Sequence, residues 1–190
     1  MGKPALLIID MQNDFVCEDS PYRVPGVAPV IPRIQAVLAE FRKKKLPVFH
    51  ILRIHRPDGS DVEIIRQEKF KKLPFAVAGT KGAAVIDELA PRAGEYILTK
   101  TRMSAFIGTE LDLMLRTLGI TTVVVTGIQT PNCIRTTVFD AIAYNYPAIL
   151  VDDAVGAATG EIHRANLRDM ENIGVRVVTS TDVPGLLNEK

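Results

Sequence analysis

Three side chains of reactive type follow apolar runs in this chain. Asp10 directly follows Ala5-Leu6-Leu7-Ile8-Ile9, Lys100 directly follows Glu95-Tyr96-Ile97-Leu98-Thr99, and Cys133 comes shortly after Thr122-Val123-Val124-Val125-Thr126. A carboxylate ending a buried run is partly desolvated, which raises its pKa unless a cation pairs with it. Lys100 can be that cation. Thr130 and Pro131 read as the cap and first residue of a helix, which puts Cys133 in its first turn. Free N–H groups and the helix dipole favour an anion there and lower a thiol pKa. A thiol nucleophile, a carboxylate base and an ammonium describe covalent catalysis, with Asp10 taking the thiol proton and Lys100 balancing the charge. Each residue alone also has a plainer reading. Asp10 and Lys100 can be strand-end charges reaching water, and Cys133 a small core residue. Cys17 has no comparable setting.

The elements that must position these groups show in the hydrophobic pattern. The three runs above are joined by Pro47–Leu52, Ala148–Val151 and Val175–Val178. All are continuous rather than alternating, which marks strands buried on both faces of a parallel sheet. Helical spacing fills Val30–Lys45, where Ile34, Val37, Leu38 and Phe41 recur, and Thr109–Leu118, where Thr109 is a candidate cap and Gly119 a stop. Further helices are expected from near Pro131 to Asn145 and from about Glu161 to Asn172, with Gly174 beyond. Alternating strands and helices predict an α/β chain of three layers, α/β/α, forming a single domain over 1–190. The stretch from Arg56 to Gly94 has no clear period. Ligands of open parallel sheets bind beyond the carboxyl ends of the strands. That rim carries Asp10, Arg53 to Asp58, Lys100 to Arg102, Gly127 to Cys133, and Asp152-Asp153.

Composition narrows the function classes. Lys plus Arg number 23 and Asp plus Glu 22, so the chain lacks the basic excess of a nucleic-acid binder. Its one dense basic run, Arg42 to Lys45, ends a helix, where cations suit the dipole. No apolar stretch approaches the roughly 18 residues of a membrane span. Two distant cysteines make neither a CxxC pair nor a disulfide framework. A cytoplasmic protein with free thiols, without nucleic-acid or membrane partners, is expected.

Three blocks now bear on identity: IIDMQNDF at Ile8–Phe15, KTRMSAF at Lys100–Phe106 and GIQTPNCIRTTVFDA at Gly127–Ala141. In this order and spacing they resemble the isochorismatase-like cysteine hydrolase superfamily, over nearly the whole chain. The resemblance implies a six-stranded, mainly parallel Rossmann-like sheet in the order 3-2-1-4-5-6. It implies a triad of Asp10, Lys100 and Cys133, a non-proline cis peptide at Ile128–Gln129, and an oxyanion hole from the amides of Gln129 and Cys133. In that order Lys100 lies two strands from Asp10, about 10 Å away at ~4.8 Å per strand, so its side chain must close the gap. It also implies a homo-oligomer, a dimer or tetramer.

Two departures narrow the substrate. Nicotinamidases of the superfamily hold a metal with an Asp and two His after strand two. In the matching Arg53-Ile54-His55-Arg56-Pro57-Asp58, Ile54 stands where a ligand is expected, and His55 with Asp58 makes no convincing set. No metal and no other cofactor is expected. His50 and His163 read as structural. Isochorismatases of the superfamily cleave a vinyl ether without needing the thiol, whereas Cys133 is present here. The expectation is a cysteine amidohydrolase that cleaves a C–N bond of a small amide or N-carbamoyl compound through a thioester. The alternatives are a vinyl ether hydrolase, a nicotinamidase or a non-catalytic member. Phe15 and Phe106 are candidate pocket walls or ordinary core residues. Arg53, His55 and Arg102 can bind a substrate carboxylate or form surface ion pairs.

Overall fold

The computed structural model describes residues 2–188. In chain order the regular elements are β1 (Pro4–Ile9), α1 (Asn13–Val16), α2 (Val30–Lys43), β2 (Val48–Arg53), α3 (Gln67–Lys72), β3 (Tyr96–Lys100), α4 (Leu111–Thr117), β4 (Thr122–Ile128), α5 (Arg135–Ala143), β5 (Ala148–Gly156), α6 (Gly160–Asn172), β6 (Arg176–Val178) and α7 (Val183–Leu186). The strands form one six-stranded sheet in the order β3-β2-β1-β4-β5-β6. All five strand pairings are parallel, as the sequence reading expected.

Every residue of β1, β2 and β4 is buried, which accounts for their unbroken apolar runs. Successive side chains of a strand point to opposite faces, and β1 shows the consequence. Ala5, Leu7 and Ile9 join a core with Leu111 and Leu115 of α4, Val138 and Ala141 of α5, and Leu167 and Met170 of α6. Leu6 and Ile8 join the opposite core with Ile34, Val37, Leu38 and Phe41 of α2 and Val183 and Leu186 of α7. The sheet is thus the middle layer of three. Burying each such Leu, Ile or Phe contributes about 1.5–3 kcal/mol, so the two faces hold the sheet from both sides.

Four element boundaries differ from the sequence reading. Lys100 is the last residue of β3 rather than the first beyond it. Asp152 and Asp153 lie within β5, which runs on to Gly156. Thr109 accepts the Leu111 amide at 3.2 Å, although Glu110 occupies the capping position. Thr130 is not a cap. Residues Thr130–Ile134 form a π turn that begins after Gln129 and leads into α5. Its Thr130 hydroxyl is engaged elsewhere, with His163 at 3.0 Å.

The stretch without a clear period folds over the carboxyl end of the sheet. It contains α3 and short 3-10 turns at Ile64–Arg66 and Asp87–Leu89. Val62, Phe70, Phe75 and Ala76 make a small core of their own. Bridges from His55 to Val77 and from Gln12 to Val85 tie it to the sheet. Because its contacts are with the rim rather than within a repeating element, no periodicity announces it.

Candidate active site

β1 and β4 are neighbours, so Asp10 and the turn carrying Cys133 leave the sheet side by side. Asp10 turns the chain with φ +56°, a left-handed conformation that Asp tolerates better than most residues. Its amide still donates to Ile51 O at 2.9 Å. Gly127 allows the close approach on the other side. It has φ +112°, and a Cβ there would meet Ile9 O at 2.1 Å. The peptide bond between Ile128 and Gln129 is cis.

Lys100 crosses β2 to reach these groups. Its Nζ donates to Asp10 Oδ2 at 3.0 Å, to Arg102 O at 3.1 Å and to Cys133 Sγ at 3.4 Å. Its side chain has no exposure to solvent. Asp10 Oδ1 is buried and has no hydrogen-bond partner, which leaves one carboxylate oxygen available to take a proton. Cys133 is 7% exposed. Burial, and then the Asp10 carboxylate, push its thiol pKa above the ordinary cysteine value; Lys100 and Arg53 pull in the other direction. The helix-start argument from sequence expects a lowered pKa. It omits the carboxylate and the desolvation that only the folded chain brings to the sulfur.

Arg53 is the fourth group at the thiol. Its Nη2 lies 3.8 Å from Cys133 Sγ, and its Nη1 donates to Glu63 Oε1 at 3.0 Å and to Thr101 O at 3.3 Å. Burial opposes the guanidinium charge, but Cys133, Asp10 and Glu63 outweigh it and raise the Arg53 pKa. Glu63 loses solvation too, yet Arg53 and nearby amides hold its pKa below the usual range. Gln12 fixes this corner. Its side chain donates to Arg53 O and Ala83 O, both at 2.8 Å, and accepts the Arg53 amide at 2.8 Å.

A cavity of about 70 Å³ opens above the sulfur, lined by Asp10, Phe15, Val24, Arg53, Arg66, Phe75, Ile128, Gln129, Asn132 and Cys133. Of the pocket candidates from sequence, Phe15 and Arg53 line it, and so do Ile128 and Gln129 of the cis peptide. Three other candidates do not line it. Phe106 is buried against Tyr144 and Tyr146 in the core, with ring centroids 5.2 and 6.1 Å away. Arg102 donates to Asp61 O at 2.7 Å and to Thr101 O at 3.1 Å. His55 has no solvent exposure and packs edge-on against Phe70 and Phe75. Each has a partner that draws it away from the cavity. Arg66, Phe75 and Val24 had no signal in the sequence, because no pattern relates them to the rim. Gln12 and Asn132 lie within the two recognised blocks, and a role for them was readable only as proximity to Asp10 and Cys133.

A metal does not suit the segment after β2. His55 Nδ1 faces Asp61 at 3.3 Å, and its Nε2 faces the Arg53 guanidinium at 3.5 Å. A fixed cation already occupies the side where a second would bind. Asp58 is turned to the Ser60 amide at 3.0 Å, so the acid beside His55 is Asp61. Burial first, then Arg53, lower the His55 pKa. Among the described residues, no three His, Cys, Asp or Glu are grouped to hold a metal ion.

Behind the turn that carries Cys133 lies a second hydrogen-bonded chain. Asp152 Oδ1 meets His163 Nε2 at 2.7 Å, and His163 Nδ1 meets the buried Thr130 hydroxyl at 3.0 Å. It ties α6 and β5 to the first residue of the π turn.

Known proteins share this arrangement of chain. The sequence is 44% identical to a probable inactive nicotinamidase of Arabidopsis thaliana, over 92% of this chain and 91% of that protein. It is 33% identical to an N-carbamoylsarcosine amidase of Arthrobacter sp, over 90% of this chain and 66% of that protein. A maleamate amidohydrolase of Pseudomonas putida is 34% identical over 95% and 84% of the two chains. The crystal structure of an isochorismatase family protein from Desulfovibrio vulgaris superposes with a TM-score of 0.95 at 43% identity, covering 100% of both chains. The isochorismatase domain itself matches residues 4–182. With sheet order, site-bearing blocks and relatives in agreement over nearly its whole length, the chain belongs to the isochorismatase family.

Proposed function

We propose that this protein is a cysteine amidohydrolase that cleaves the C–N bond of a small amide or N-carbamoyl compound. The observation that carries the reading is one ammonium shared by a carboxylate and a thiol. Lys100 Nζ lies 3.0 Å from Asp10 and 3.4 Å from Cys133, and both of these residues line a cavity. Relatives that are named amidase and amidohydrolase support the reaction class. The cavity supports the size class, since about 70 Å³ at roughly 10–15 Å³ per water-sized centre admits only a compact molecule.

The chemistry follows from the groups present. Asp10 Oδ1 takes the thiol proton as Cys133 Sγ attacks the carbonyl carbon. The new oxyanion is held by the Gln129 and Cys133 amides, an interaction of roughly 3–4 kcal/mol per donor in the transition state. Asp10 returns the proton to the departing nitrogen, the C–N bond breaks, and a thioester remains. Water then attacks the thioester, Asp10 accepts its proton, and the acid leaves as Cys133 regains a proton. The thiol pKa is raised in the resting site, so proton transfer and attack go together. Lys100, within hydrogen-bond reach of both groups, stabilises the sulfur anion as it forms.

Ammonia release from a panel of amides, carbamoyl compounds and nicotinamide tests the reading. Cys133→Ala is expected to lower turnover by about a thousandfold or more, and full activity in that variant would sink the thioester scheme. A vinyl ether turned over by Cys133→Ala but not by Asp10→Ala would favour the vinyl ether hydrolase. A non-catalytic role draws on the relative named probable inactive, and it predicts no ammonia from any panel member. A cytoplasmic homo-oligomer completes the proposal. The exposed Ile64, Ile65 and Leu113 are the apolar surface such an assembly would cover, and light scattering reads its size.

A further inference from the structure

Among the described residues, one charged side chain lining the cavity above Cys133 makes no hydrogen bond or ion pair. We propose that Arg66 is an anion subsite, and that the site therefore takes small amides or N-carbamoyl compounds bearing a carboxylate at the end remote from the scissile carbonyl. The inference rests on the amidohydrolase reading of the same cavity.

The charged lining groups are Asp10, Arg53 and Arg66. Asp10 is paired with Lys100 at 3.0 Å. Arg53 is engaged by both Glu63 oxygens, at 3.0 and 3.3 Å, by Thr101 O and by Cys133. Arg102 stands outside the cavity with its own carbonyl acceptors. The half-buried Arg66 differs from all of these. Only its backbone amide is bonded, to Glu63 O at 2.7 Å, and its guanidinium has no hydrogen bond or ion pair among the described residues. The one acid whose pKa it influences is Glu63, whose carboxylate is already bound by Arg53.

The walls around Arg66 sharpen its preference. Phe15, Val24, Phe75 and Ile128 offer no counter-ion, and a guanidinium beside apolar walls meets less competition from water. Its planar fork matches a carboxylate with two parallel N–H donors. The remaining polar lining groups, Gln129 and Asn132, flank Cys133 in sequence. The cavity therefore brings together the reactive groups and a guanidinium without a counter-ion. A neutral substrate would leave the guanidinium unpaired.

Paired alkylating agents test the subsite without requiring turnover. Iodoacetate and iodoacetamide each form an S–C bond with release of iodide and differ in the carboxylate. Labelling of Cys133 and Cys17 is followed by peptide mass spectrometry in the native protein, Arg66→Gln and Arg66→Lys. The iodoacetate-to-iodoacetamide rate ratio at Cys133 is expected to fall about tenfold in Arg66→Gln and to recover in part in Arg66→Lys. The ratio at Cys17 stays constant. In ammonia release, N-carbamoylglycine should be preferred over N-carbamoylglycinamide by the native protein. Arg66→Gln should lose that preference, with the larger change in KM. An unchanged ratio at Cys133, or a Cys133 that neither reagent labels, overturns the subsite. A ratio that depends on Arg66 while no amide releases ammonia leaves the subsite standing and overturns the amidohydrolase reading instead.

Discussion

In the proposed reaction Cys133 must lose its proton to attack, yet burial and Asp10 hold that proton on. The free protein therefore keeps a thiol, and its alkylation rate should still be climbing above pH 9. A rate by iodoacetamide that levels off near pH 7 would show a resting thiolate and overturn the concerted scheme. Lys100 makes this arrangement tolerable. It is a buried cation whose Nζ has three acceptors, and Asp10 is 4% exposed. Removing one member of a buried pair leaves the other charge uncompensated, at a cost of about 3–5 kcal/mol. Lys100→Met is expected to lose that much in urea denaturation. The double variant with Asp10→Asn should regain most of it, because the stranded charge is gone. A single variant as stable as the native protein would contradict the pairing.

At the scale of elements, the turn that carries Cys133 is held from three sides. Gly127 lets β4 close on the Ile9 backbone, the π turn presents Cys133, and α6 reaches back through His163. Thr130 is fully buried, and His163 is its side-chain partner. His163→Ala leaves the hydroxyl unsatisfied and Asp152 without its imidazole. We expect a loss of about 1–3 kcal/mol, read as a lower urea midpoint with an unchanged slope. A midpoint within error of the native value would show that the chain of hydrogen bonds contributes nothing to holding the turn. The 3-10 turn at Ile64–Arg66 is an element of a different kind. It brings Arg66 to the cavity while exposing Ile64 and Ile65 by 86% and 89%.

The whole molecule carries an acid sensitivity in its buried histidines and one acidic clasp. Burial lowers the pKa of both His50 and His55 below the ordinary 6.5, with Glu95 and Asp61 respectively opposing the shift. Unfolding lets them bind protons more readily, so stability falls as pH drops below about 6.5. Glu95 acts further down. Burial disfavours its charge, but Arg42, the Arg92 amide and His50 hold its pKa at about 2 against an ordinary 4.5. Its contribution is complete above 4.5 and is lost as pH falls through 2, up to about 3 kcal/mol in all. Urea denaturation at pH 7, 5.5, 4 and 3 should show stability falling in this order. A flat profile from pH 7 to pH 3 would contradict it. Among the described residues, no helix is long and apolar enough to cross a membrane.

Local pattern was enough to read six strands, most helices, and the reactive types at strand ends, although the edge strands β3 and β6 are only partly buried. Each of those signals depends only on neighbours in the chain: an unbroken apolar run, a 3.6-residue period, a charge set against hydrocarbon. Strand-end position put Asp10, Lys100 and Cys133 on one rim, but the sheet order came from resemblance, since no local signal says which strands adjoin. Three-dimensional packing alone decided the rest. It set the sign of the Cys133 shift, because desolvation and Asp10 act across space and outweigh a helix start. It sent Phe106, Arg102 and His55 to other partners and brought Arg66 and Phe75 from an aperiodic stretch to the cavity. Contacts made by a chain folding back over its own sheet leave no period to read, and a cavity's chemistry is made of such contacts.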